Sequence, residues 1–381
     1  MQKHFYNNKK IGILGGGQLG RMLLQAGIDL NIDISVLDPD KNAPCKSFCL
    51  HFVHGSFKDY NTVLNFGRQL DTITIEIEHV NVDALQTLES MGKEVSPSAE
   101  IIRIVQDKGL QKQFYKEHNI PTSDFILLES KDEIKDHLSF LPAFQKLRTS
   151  GYDGRGVQGI HSEADLSKAL DGKCVLEKRV PYEKEISVIV ARGKNGETIC
   201  FPAVDMVLHQ EKNVLSYLVS PAEISEHVAH LAERIAKEVA AKLNLVGILA
   251  VEMFLLENGE ILVNEIAPRP HNSGHQTIEG NITSQYAQLW RAILGLPLGD
   301  TQTIQATAMI NLLGAEGYEG EVFYEGIEEA MAISGVYVHL YGKEITKPFR
   351  KMGHITVTGS SLAEVHEKAR TIEALVQVKS L

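Results

Sequence analysis

Apolar residues in the first hundred positions follow two alternating patterns. Runs of strand length occupy 11–14, 32–37 and 73–77, whereas the apolar residues from Leu19 to Leu30 recur at helical spacing. The first pattern predicts buried strands and the second an amphipathic helix. Because strands separated by helices favour a parallel sheet with right-handed crossovers, we expect a doubly wound α/β domain over residues 1–107.

The pattern changes after this domain. A helical stretch is predicted from about 98 to 118, and Pro121 prevents its continuation. The elements that follow are shorter and surround a glycine-rich segment at 150–159. This part of the chain has the size of a small lid domain, which we expect over residues 108–190.

The remaining region, residues 191–381, combines hairpin and helix signals. Its longest helix is predicted to start with Ser220 as N-cap, Pro221 at the first helical position and Glu223 three residues after the cap. A last helix is expected near 362–375. The whole chain is therefore predicted to combine an α/β domain with α+β parts.

Composition narrows the class of protein. Of the 381 residues, 43% are hydrophobic and 23% are charged, which is typical of a globular protein with two or three domains. The first ten residues are polar, and no apolar run approaches the roughly 20 residues of a membrane span. The four cysteines indicate reduced thiols. We expect a cytoplasmic protein without a membrane partner.

The distribution of charge bears on the partners. A net charge of −11 argues against a nucleic-acid partner, which would require a basic face. Cations are concentrated at one place, where four fall within nine residues: Lys343, Lys347, Arg350 and Lys351. On charge alone, a solvated loop is the favoured interpretation of this basic run, and a site for an anionic substrate is the alternative.

A glycine motif, G-x-G-x-x-G, spans 15–20 directly after the first predicted strand. Asp38 ends the second strand at about the distance expected of a ribose-binding acid, so the motif alone would suit a nicotinamide-dependent dehydrogenase. Nothing downstream indicates a hydride-transfer site. A close turn between strand and helix, or a substrate contact at the helix N-terminus, is the favoured interpretation.

Two glutamates are predicted to face each other across a hairpin. Asn258-Gly259 favours a two-residue turn, and continuing that pairing places Glu252 opposite Glu265. Opposed carboxylates destabilise a sheet unless a cation lies between them, and hard oxygen ligands on rigid strands suit Mg²⁺. A salt bridge from one glutamate to a lysine, or a register shifted by one residue, would explain the pattern without a metal.

A second candidate site is the glycine-rich stretch 149–156. It contains too many glycines for a packed element, and its backbone N–H groups could close over phosphates. Lys146 precedes it at a strand-like position from which a phosphate is within reach. The stretch lacks the lysine-serine ending of a P-loop, and a flexible surface hairpin is the alternative interpretation.

These features together resemble the ATP-grasp superfamily, in which ATP lies between two α+β lobes, beneath a glycine-rich lid and above a carboxylate-bearing hairpin. Within it the sequence is most similar to the N5-carboxyaminoimidazole ribonucleotide synthases, through GGGQLGRM at 15–22, KLRTSGYDGRGV at 146–157 and APRPHNSGH at 267–275. The similarity extends over essentially the whole chain. It implies an ATP-grasp fold with a doubly wound pre-ATP-grasp domain, a small lid domain and a C-terminal domain.

The resemblance implies an ATP site formed by two lysines, the lid loop, the strand that links the lobes, a ribose-binding glutamate and the second hairpin strand. Its residues are Lys108, Lys146, Gly151, Tyr152, Asp153, Gly154, Arg155, Gly156, Val157, Glu177, Lys178, Arg179, Val180, Glu185, His209, Asn264 and Glu265. It also implies that Glu252 and Glu265 bind Mg²⁺, with Mn²⁺ as an alternative ion. Many superfamily members carry an asparagine where this chain has Ala267, so the number of metal ions stays open.

By the same resemblance, the second substrate is aminoimidazole ribonucleotide. Its implied contacts are Glu76, Tyr152, Asp153 and Arg155, with Lys343 and Arg350 on the 5′-phosphate. Residues just past the hairpin would hold bicarbonate or the carboxyphosphate formed from it. The implied catalytic residues are Asp153, Arg155, Arg269, His271, Asn272 and His275, and a structural role is the alternative for the two histidines.

The implied activity is the ATP- and bicarbonate-dependent carboxylation of this ribonucleotide in purine biosynthesis, by an enzyme that is a homodimer in similar proteins. A related ATP-grasp ligase, acting on glycinamide ribonucleotide or using formate, is the main alternative because it shares the ATP residues. A dehydrogenase and a nucleotide-binding scaffold without catalysis are weaker alternatives.

Overall fold

The computed structural model describes residues 8–149, 156–208 and 215–381, and it opens with a parallel sheet of five strands. These strands are β1 (Ile11–Leu14), β2 (Ile34–Asp38), β3 (His51–His54), β4 (Thr72–Ile75) and β5 (Glu94–Val95). Their order is β3-β2-β1-β4-β5. The helices of this domain are α1 (Gln18–Ile28), α2 (Tyr60–Arg68), α3 (Val82–Ser90) and α4 (Ala99–Gln106). The prediction of a doubly wound α/β domain is confirmed.

The predicted helical stretch from 98 to 118 consists of two helices. Helix α4 ends at Gln106, and α5 (Lys108–Glu117) begins two residues later. Between them Asp107 is extended, and its carboxylate accepts hydrogen bonds from the N–H groups of Gly109 and Leu110. An N-cap of this kind starts a new helix axis.

A small antiparallel sheet follows α5. Its strands are β6 (Phe125–Leu128), β7 (Ala143–Leu147), β8 (Val157–Ile160) and β9 (Cys174–Lys178), in the order β6-β9-β7-β8. Two 3-10 helices, Lys131–Phe140 and Glu163–Lys168, cover it. The sheet has its own core around Leu128, Ile134 and Ile160, so it can act as a unit separate from the larger sheets.

The rest of the chain is organised around a large, mainly antiparallel sheet. Its strands and those of a three-stranded satellite sheet are β10 (Lys184–Arg192), β11 (Thr198–Cys200), β12 (Val204–Leu208), β13 (Leu215–Ser220), β14 (Gly247–Leu255), β15 (Ile261–Ala267), β16 (Ala306–Leu313), β17 (Gly320–Glu325), β18 (Val336–Leu340), β19 (Ile345–Thr346), β20 (Lys351–Gly359) and β21 (Gln377–Ser380). The large sheet has the order β15-β14-β10-β12-β13-β16-β20-β18, with β11 paired to β10, and β19-β17-β21 form the satellite.

Five helices accompany these sheets: α6 (Glu226–Lys242), α7 (Thr277–Gly280), α8 (Gln285–Leu294), α9 (Ile327–Met331) and α10 (Leu362–Leu375). Helix α6 packs its buried face, which includes Val228, Ile235 and Val239, on β10, β14 and β15. Helix α8 packs against α1 of the first domain, where Trp290 Nε1 donates to Leu23 O at 2.8 Å. Helix α6 therefore covers one face of the hairpin β14–β15, and on the other face Ile248, Ala250 and Ala267 pack with α8.

The predicted start of the long helix is wrong. Ser220 is the last residue of β13 and pairs with Thr307, so its backbone is committed to the sheet. The N-cap is Ser225, whose Oγ accepts a hydrogen bond from Val228 N–H, and α6 begins one residue later. The final helix, α10, lies where the sequence predicts it. None of the helices in the described ranges has the length and apolarity that a membrane crossing requires.

Candidate active site

Strands β14 and β15 form the hairpin that is predicted to carry two opposed carboxylates. Their register pairs Glu252 directly with Glu265. Glu185 of β10 lies on the same face, because it pairs with Phe254, two residues further along β14. The other face packs against α6. The predicted pairing is confirmed, and both glutamates are on the face of the sheet opposite α6.

The turn of this hairpin differs from the prediction. Leu256 N–H donates to Glu260 O and Gly259 N–H donates to Leu256 O, and these bonds close a turn of three residues, 257–259, instead of two. Further along β15, Asn264 is an additional residue at which the register of the two strands shifts. The predicted two-residue turn is wrong. The bulge at Asn264 compensates for the longer turn and brings the two glutamates opposite each other.

The two glutamates differ in their electrostatics. Burial, together with Glu265 and Glu185, raises the pKa of Glu252 to about 7. Burial would also raise the pKa of Glu265, but Lys108 and Lys146 outweigh it, and that pKa is lowered. Lys108 Nζ forms an ion pair with Glu265 Oε1. The salt bridge that the sequence offers as the alternative to a metal is therefore present, although it compensates only one carboxylate.

The carboxylate pair has the chemistry of a partial Mg²⁺ site. The side chains of Glu252 and Glu265 keep 24% and 46% of their surface accessible. Within the described residues, no group of three or more His, Cys, Asp and Glu side chains could hold a metal ion by itself. Mg²⁺ commonly uses one or two carboxylates and completes its shell with phosphate oxygens and water. The two glutamates fit this requirement, and Ala267 adds no ligand.

Two lysines, Lys146 and Lys112, lie between the second hairpin strand and the small antiparallel sheet β6–β9, which we call the lid sheet. Lys146 of β7 donates to Asn264 Oδ1 at 3.0 Å and pairs with Glu177 of β9 at 3.2 Å. Glu177 is buried and also pairs with Lys112 of α5 at 3.1 Å. Lys146 thus lies between the lid and the hairpin, as a phosphate-binding lysine must. Lys112 was not identified from the sequence, because a lysine on a helix is normally solvated.

The base of the lid loop is anchored to α5. Lys146 pairs with Val157 across the β7–β8 hairpin, and Leu147 N–H donates to Gly156 O. Arg148, next in the chain, makes two hydrogen bonds to Asp107, at 2.8 and 2.6 Å. The predicted loop residues Gly151, Tyr152, Asp153, Gly154 and Arg155 lie outside the described residues, as does His209.

The predicted link between the lobes is the end of β9 and the segment that leads to β10. Lys178 Nζ donates to the carbonyls of Phe140 and Leu141 in the lid, and Arg179 N–H donates to Pro142 O. Val180 follows, half-buried, and Glu185 stands one strand away from Glu252. The segment therefore passes from the small sheet β6–β9 to the sheet face that carries the opposed glutamates.

The loop after β15 brings three predicted residues to the site. Arg269 Nε pairs with Glu78 Oε1 at 2.6 Å, and His271 Nε2 lies 3.4 Å from Glu252 Oε1. Burial, with Arg269 and Lys351, lowers the pKa of His271 to about 3, so the ring is neutral. Asn272 Oδ1 is buried without a hydrogen-bond partner in the described residues, as expected of a ligand contact. Glu78 was missed, because nothing in its local sequence connects it to Arg269.

His275 has a different setting from the rest of this loop. It is 2% exposed, and its Nδ1 lies 2.9 Å from Tyr286 OH. Its ring is 4.7 Å from that of His354, which in turn stacks on His339 at 4.3 Å. These three rings form what we call the imidazole stack. Burial lowers the pKa of His275 and of His354 well below the usual range. The contacts of His275 favour the structural alternative that the sequence left open.

The glycine motif makes room for Glu76. A Cβ on Gly15 would lie 2.5 Å from Glu76 Cγ, and Gly20 N–H donates to Glu76 Oε2 at 3.0 Å. Asp38 accepts a hydrogen bond from Gly16 N–H at 2.6 Å, so its carboxylate holds the turn instead of a ribose. Burial raises the pKa of Glu76. The motif is a close turn that carries a buried carboxylate, as the favoured interpretation proposes.

The basic run that begins at Lys343 lies close to α1, the helix that follows the glycine motif. Lys343 Nζ donates to Gln18 Oε1 at 3.0 Å and to Lys351 O at 2.7 Å. Arg350 donates to Ile345 O at 2.6 Å. Lys343 therefore lies beside the N-terminus of α1, where a phosphate would be stabilised.

The fold and the site together define a class: a small sheet and a large sheet enclose two opposed glutamates and two lysines beside them, as in the ATP-grasp ligases. Family profiles match accordingly. Residues 113–286 match the ATP-grasp domain, 8–106 the ribonucleotide synthetase preATP-grasp domain, and 307–368 the phosphoribosylaminoimidazole carboxylase C-terminal domain.

Known proteins narrow the class. The chain is 37% identical to the N5-carboxyaminoimidazole ribonucleotide synthase of Bacillus subtilis, over 92% of each sequence. It therefore belongs to the N5-carboxyaminoimidazole ribonucleotide synthase family. A synthase from Aspergillus clavatus, solved in complex with ADP and 5-aminoimidazole ribonucleotide, is 34% identical with a TM-score of 0.87, covering 97% of this chain and 98% of that one. The chloroplastic phosphoribosylaminoimidazole carboxylase of Vigna aconitifolia is 40% identical over 93% of this chain, which spans only 65% of that longer relative.

Proposed function

We propose that the protein carboxylates 5-aminoimidazole ribonucleotide to N5-carboxyaminoimidazole ribonucleotide with ATP and bicarbonate, as a step of purine biosynthesis. The observation that carries this proposal is the opposed pair Glu252–Glu265 with Lys108 and Lys146 beside it. Such a cluster suits a nucleotide polyphosphate with its divalent cation. Membership of the family supports the choice of substrate, since the Aspergillus relative was solved with ADP and this ribonucleotide.

In this proposal ATP lies between the lid sheet and the hairpin. Lys108 and Lys146 bind its phosphates, Glu185 binds the ribose, and the backbone of 177–180 reads the adenine edge. The loop 151–157 covers the phosphates, and Asn264 and His209 complete the pocket. Mg²⁺, or Mn²⁺ in its place, held by the opposed glutamates, would supply charge neutralisation at the transferring phosphoryl group.

The first chemical step joins bicarbonate to the γ-phosphoryl group. A bicarbonate oxygen attacks the γ-phosphorus, a new P–O bond forms as the bond to ADP breaks, and carboxyphosphate results. Lys146 stabilises the negative charge on the phosphoryl oxygens. Arg269, His271 and Asn272 hold the carboxyl end and exclude water, which would hydrolyse carboxyphosphate. His275 supports this loop from behind through Tyr286.

In the second step the bond between the carboxyl carbon and the phosphate oxygen of carboxyphosphate breaks, phosphate leaves, and a new C–N bond joins the carboxyl group to the exocyclic amine of the ribonucleotide. Glu76, Tyr152, Asp153 and Arg155 hold the aminoimidazole and its ribose, and Asp153 accepts the proton that the amine loses. Lys343 and Arg350 hold the 5′-phosphate, where two cations match a dianion. Phosphate and N5-carboxyaminoimidazole ribonucleotide are then the products.

The test mixes the protein with MgATP, bicarbonate and one acceptor at a time. ADP release that requires both bicarbonate and aminoimidazole ribonucleotide is the expected result. A related ligase would instead release ADP with glycinamide ribonucleotide or its precursors, or with formate, and that outcome would overturn the proposal. We further propose that the enzyme is cytoplasmic and a homodimer. Sedimentation of the purified protein can check the dimer.

A further inference from the structure

Lys112 is the most deeply buried lysine of the site, with 2% of its surface exposed, and nothing in the proposed reaction uses it. Its ammonium group donates to Thr122 Oγ1 at 2.7 Å and to Ser123 Oγ at 3.1 Å, and it pairs with Glu177 Oε2 at 3.1 Å. A lysine has three N–H donors, so all are used. Burying a charge is costly unless it is paired in this way. The three partners of Lys112 therefore offset the cost of burying its ammonium group.

The partners of Lys112 lie on both chain segments that connect the lid sheet to the rest of the protein. Thr122 and Ser123 precede β6, where the chain enters the lid, and Glu177 is near the end of β9, where it leaves. Thr122 Oγ1 also donates to Val263 O of β15 at 2.7 Å. The ammonium group therefore joins α5, the two roots of the lid and the hairpin that carries the opposed glutamates.

Glu177 is shared between two lysines. One is Lys112 and the other is Lys146, at 3.2 Å, which the proposed function places on the ATP phosphates. When Lys146 turns towards a phosphate, it gives up part of its attraction to Glu177. A buried carboxylate that loses its only counter-charge is strongly destabilised. With Lys112 in place, Glu177 keeps one cation after Lys146 has moved.

We propose that Lys112 is a positioning residue that compensates Glu177 from behind, so that Lys146 is free to bind the ATP phosphates. This inference depends on the proposed function through the role of Lys146. Burial lowers the pKa of Lys112 to about 8, opposed by Glu177, so the ammonium form still dominates at neutral pH. The two lysines outweigh burial at Glu177 and lower its pKa, which keeps it ionised.

The experiment measures equilibrium binding of MgATP to purified variants without ribonucleotide or bicarbonate. Lys112→Met should weaken MgATP binding at least about tenfold, since Lys146 then remains on Glu177 and one charge-assisted contact to phosphate is lost. In a separate turnover assay at saturating MgATP and bicarbonate, the Michaelis constant for the ribonucleotide should stay within about twofold, because its site does not include this charge. Lys116→Met, on the exposed side of the same helix, is the matched control and should bind ATP as the wild type does.

A second substitution separates positioning from packing. In Lys112→Met/Glu177→Gln the carboxylate that retains Lys146 is gone, so ATP affinity should return to within about threefold of Glu177→Gln alone. Loss of packing could not be restored in this way. The proposal is overturned if Lys112→Met binds ATP normally, or if the double variant binds as weakly as Lys112→Met.

The comparison remains decisive if Lys112→Met does not fold, because the double variant and Glu177→Gln can be compared directly. Equal ATP affinities support the proposal, and a much weaker double variant contradicts it. The assay is independent of the carboxylation reaction: wild-type protein that binds ATP but releases no ADP with the ribonucleotide would refute the proposed function alone. Normal ATP binding by Lys146→Met would refute the positioning role.

Discussion

Two regions of the site bury ionisable side chains in opposite ways. The first, which we call the carboxylate–lysine cluster, comprises Lys108, Lys112, Lys146, Glu177, Glu252 and Glu265. Ion pairs at 3.1 and 3.2 Å hold Glu177 between two lysines, which lower its pKa and keep it ionised. The second region is the imidazole stack, where burial lowers the pKa of His275 and His354 well below the usual range. One region retains charge through pairing and the other loses it.

This contrast indicates which of the two regions can accept a charged ligand. In the proposed function, Lys146 exchanges Glu177 for a phosphate and Glu265 exchanges Lys108 for a divalent cation, so each ligand brings the replacement charge. The imidazole stack has no such exchange. Its rings bond to tyrosines, His275 to Tyr286 and His354 to Tyr341, each at 2.9 Å. It fixes the loop after β15 to β18 and β20 of the large sheet through the neutral rings of His275 and His354, while His339 contacts Glu279 at 2.8 Å.

The largest expected effect comes from removing one of the opposed carboxylates. Glu265→Ala should reduce the rate of ADP formation by at least about a hundredfold, because the divalent cation loses one of its two protein ligands. The assay uses saturating MgATP, bicarbonate and ribonucleotide. Glu257→Ala, an exposed residue of the same hairpin, is the control and should behave as the wild type. Wild-type turnover in Glu265→Ala would remove the metal assignment.

Acidification should act mainly on the imidazole stack. The folded-state pKa values of His275 and His354 lie well below the unfolded value of 6.5, so stability is complete above about pH 6.5 and is lost as the pH falls below it. Each histidine contributes a slope of up to about 1.4 kcal/mol per pH unit in the free energy of unfolding. The groups that face them are Tyr286, Tyr341, His339, Glu279, His271, Arg269 and Lys351.

The measurement is chemical denaturation between about pH 5.5 and 7.5, the range in which an unfolded histidine titrates. His354→Gln, whose side chain cannot be protonated, should have a smaller slope than the wild type, whereas the exposed His230→Gln should not. Glu252, with its pKa raised to about 7, gives the free energy of unfolding a pH slope of opposite sign below that pH. Because all the variants retain Glu252, their slopes are compared with each other. Identical slopes for His354→Gln and the wild type would contradict the neutral stack.

A change at the basic run tests a third part of the site. Arg350→Ala should raise the Michaelis constant for the ribonucleotide about tenfold, by removing one charge-assisted contact to its phosphate, with little change in that for ATP. Lys347→Ala, exposed and three residues away, is the matched control. An effect confined to ATP would show that the phosphate site of the ribonucleotide lies elsewhere.

The sequence predicted best where local patterns decide the structure. The runs at 11–14 and 73–77 became β1 and β4, and the last helix lies at Leu362–Leu375. The long helix was placed too early, because Ser220 and Pro221 carry the local signal of a helix start while the pairing of Ser220 with Thr307, far along the chain, decides its conformation. Local capping chemistry cannot reveal such a competition.

The site was predicted less completely, for the same physical reason. The carboxylate pair was found from the hairpin, but Lys108 meets Glu265 only because α5 packs beside β15, 157 positions later. Other parts of the site depend on equally distant contacts: the pairing of Glu78 with Arg269, that of Lys112 with Glu177, and the ring contact between His354 and His275. The glutamates were also paired through a turn of the wrong length, which the bulge at Asn264 corrects.

That correction leads to the smallest predicted effect. Gly259 has a φ of +83°, and a Cβ there would meet nothing within 4 Å, so Gly259→Ala should cost only the backbone strain of about 1 kcal/mol in the free energy of unfolding. Because the bulge at Asn264 lies between this turn and the opposed glutamates, MgATP affinity should not change. Denaturation and ATP titration of the same variant check both parts. A joint loss of stability and ATP affinity would mean that the turn, and not the pairing beyond the bulge, keeps Glu252 opposite Glu265.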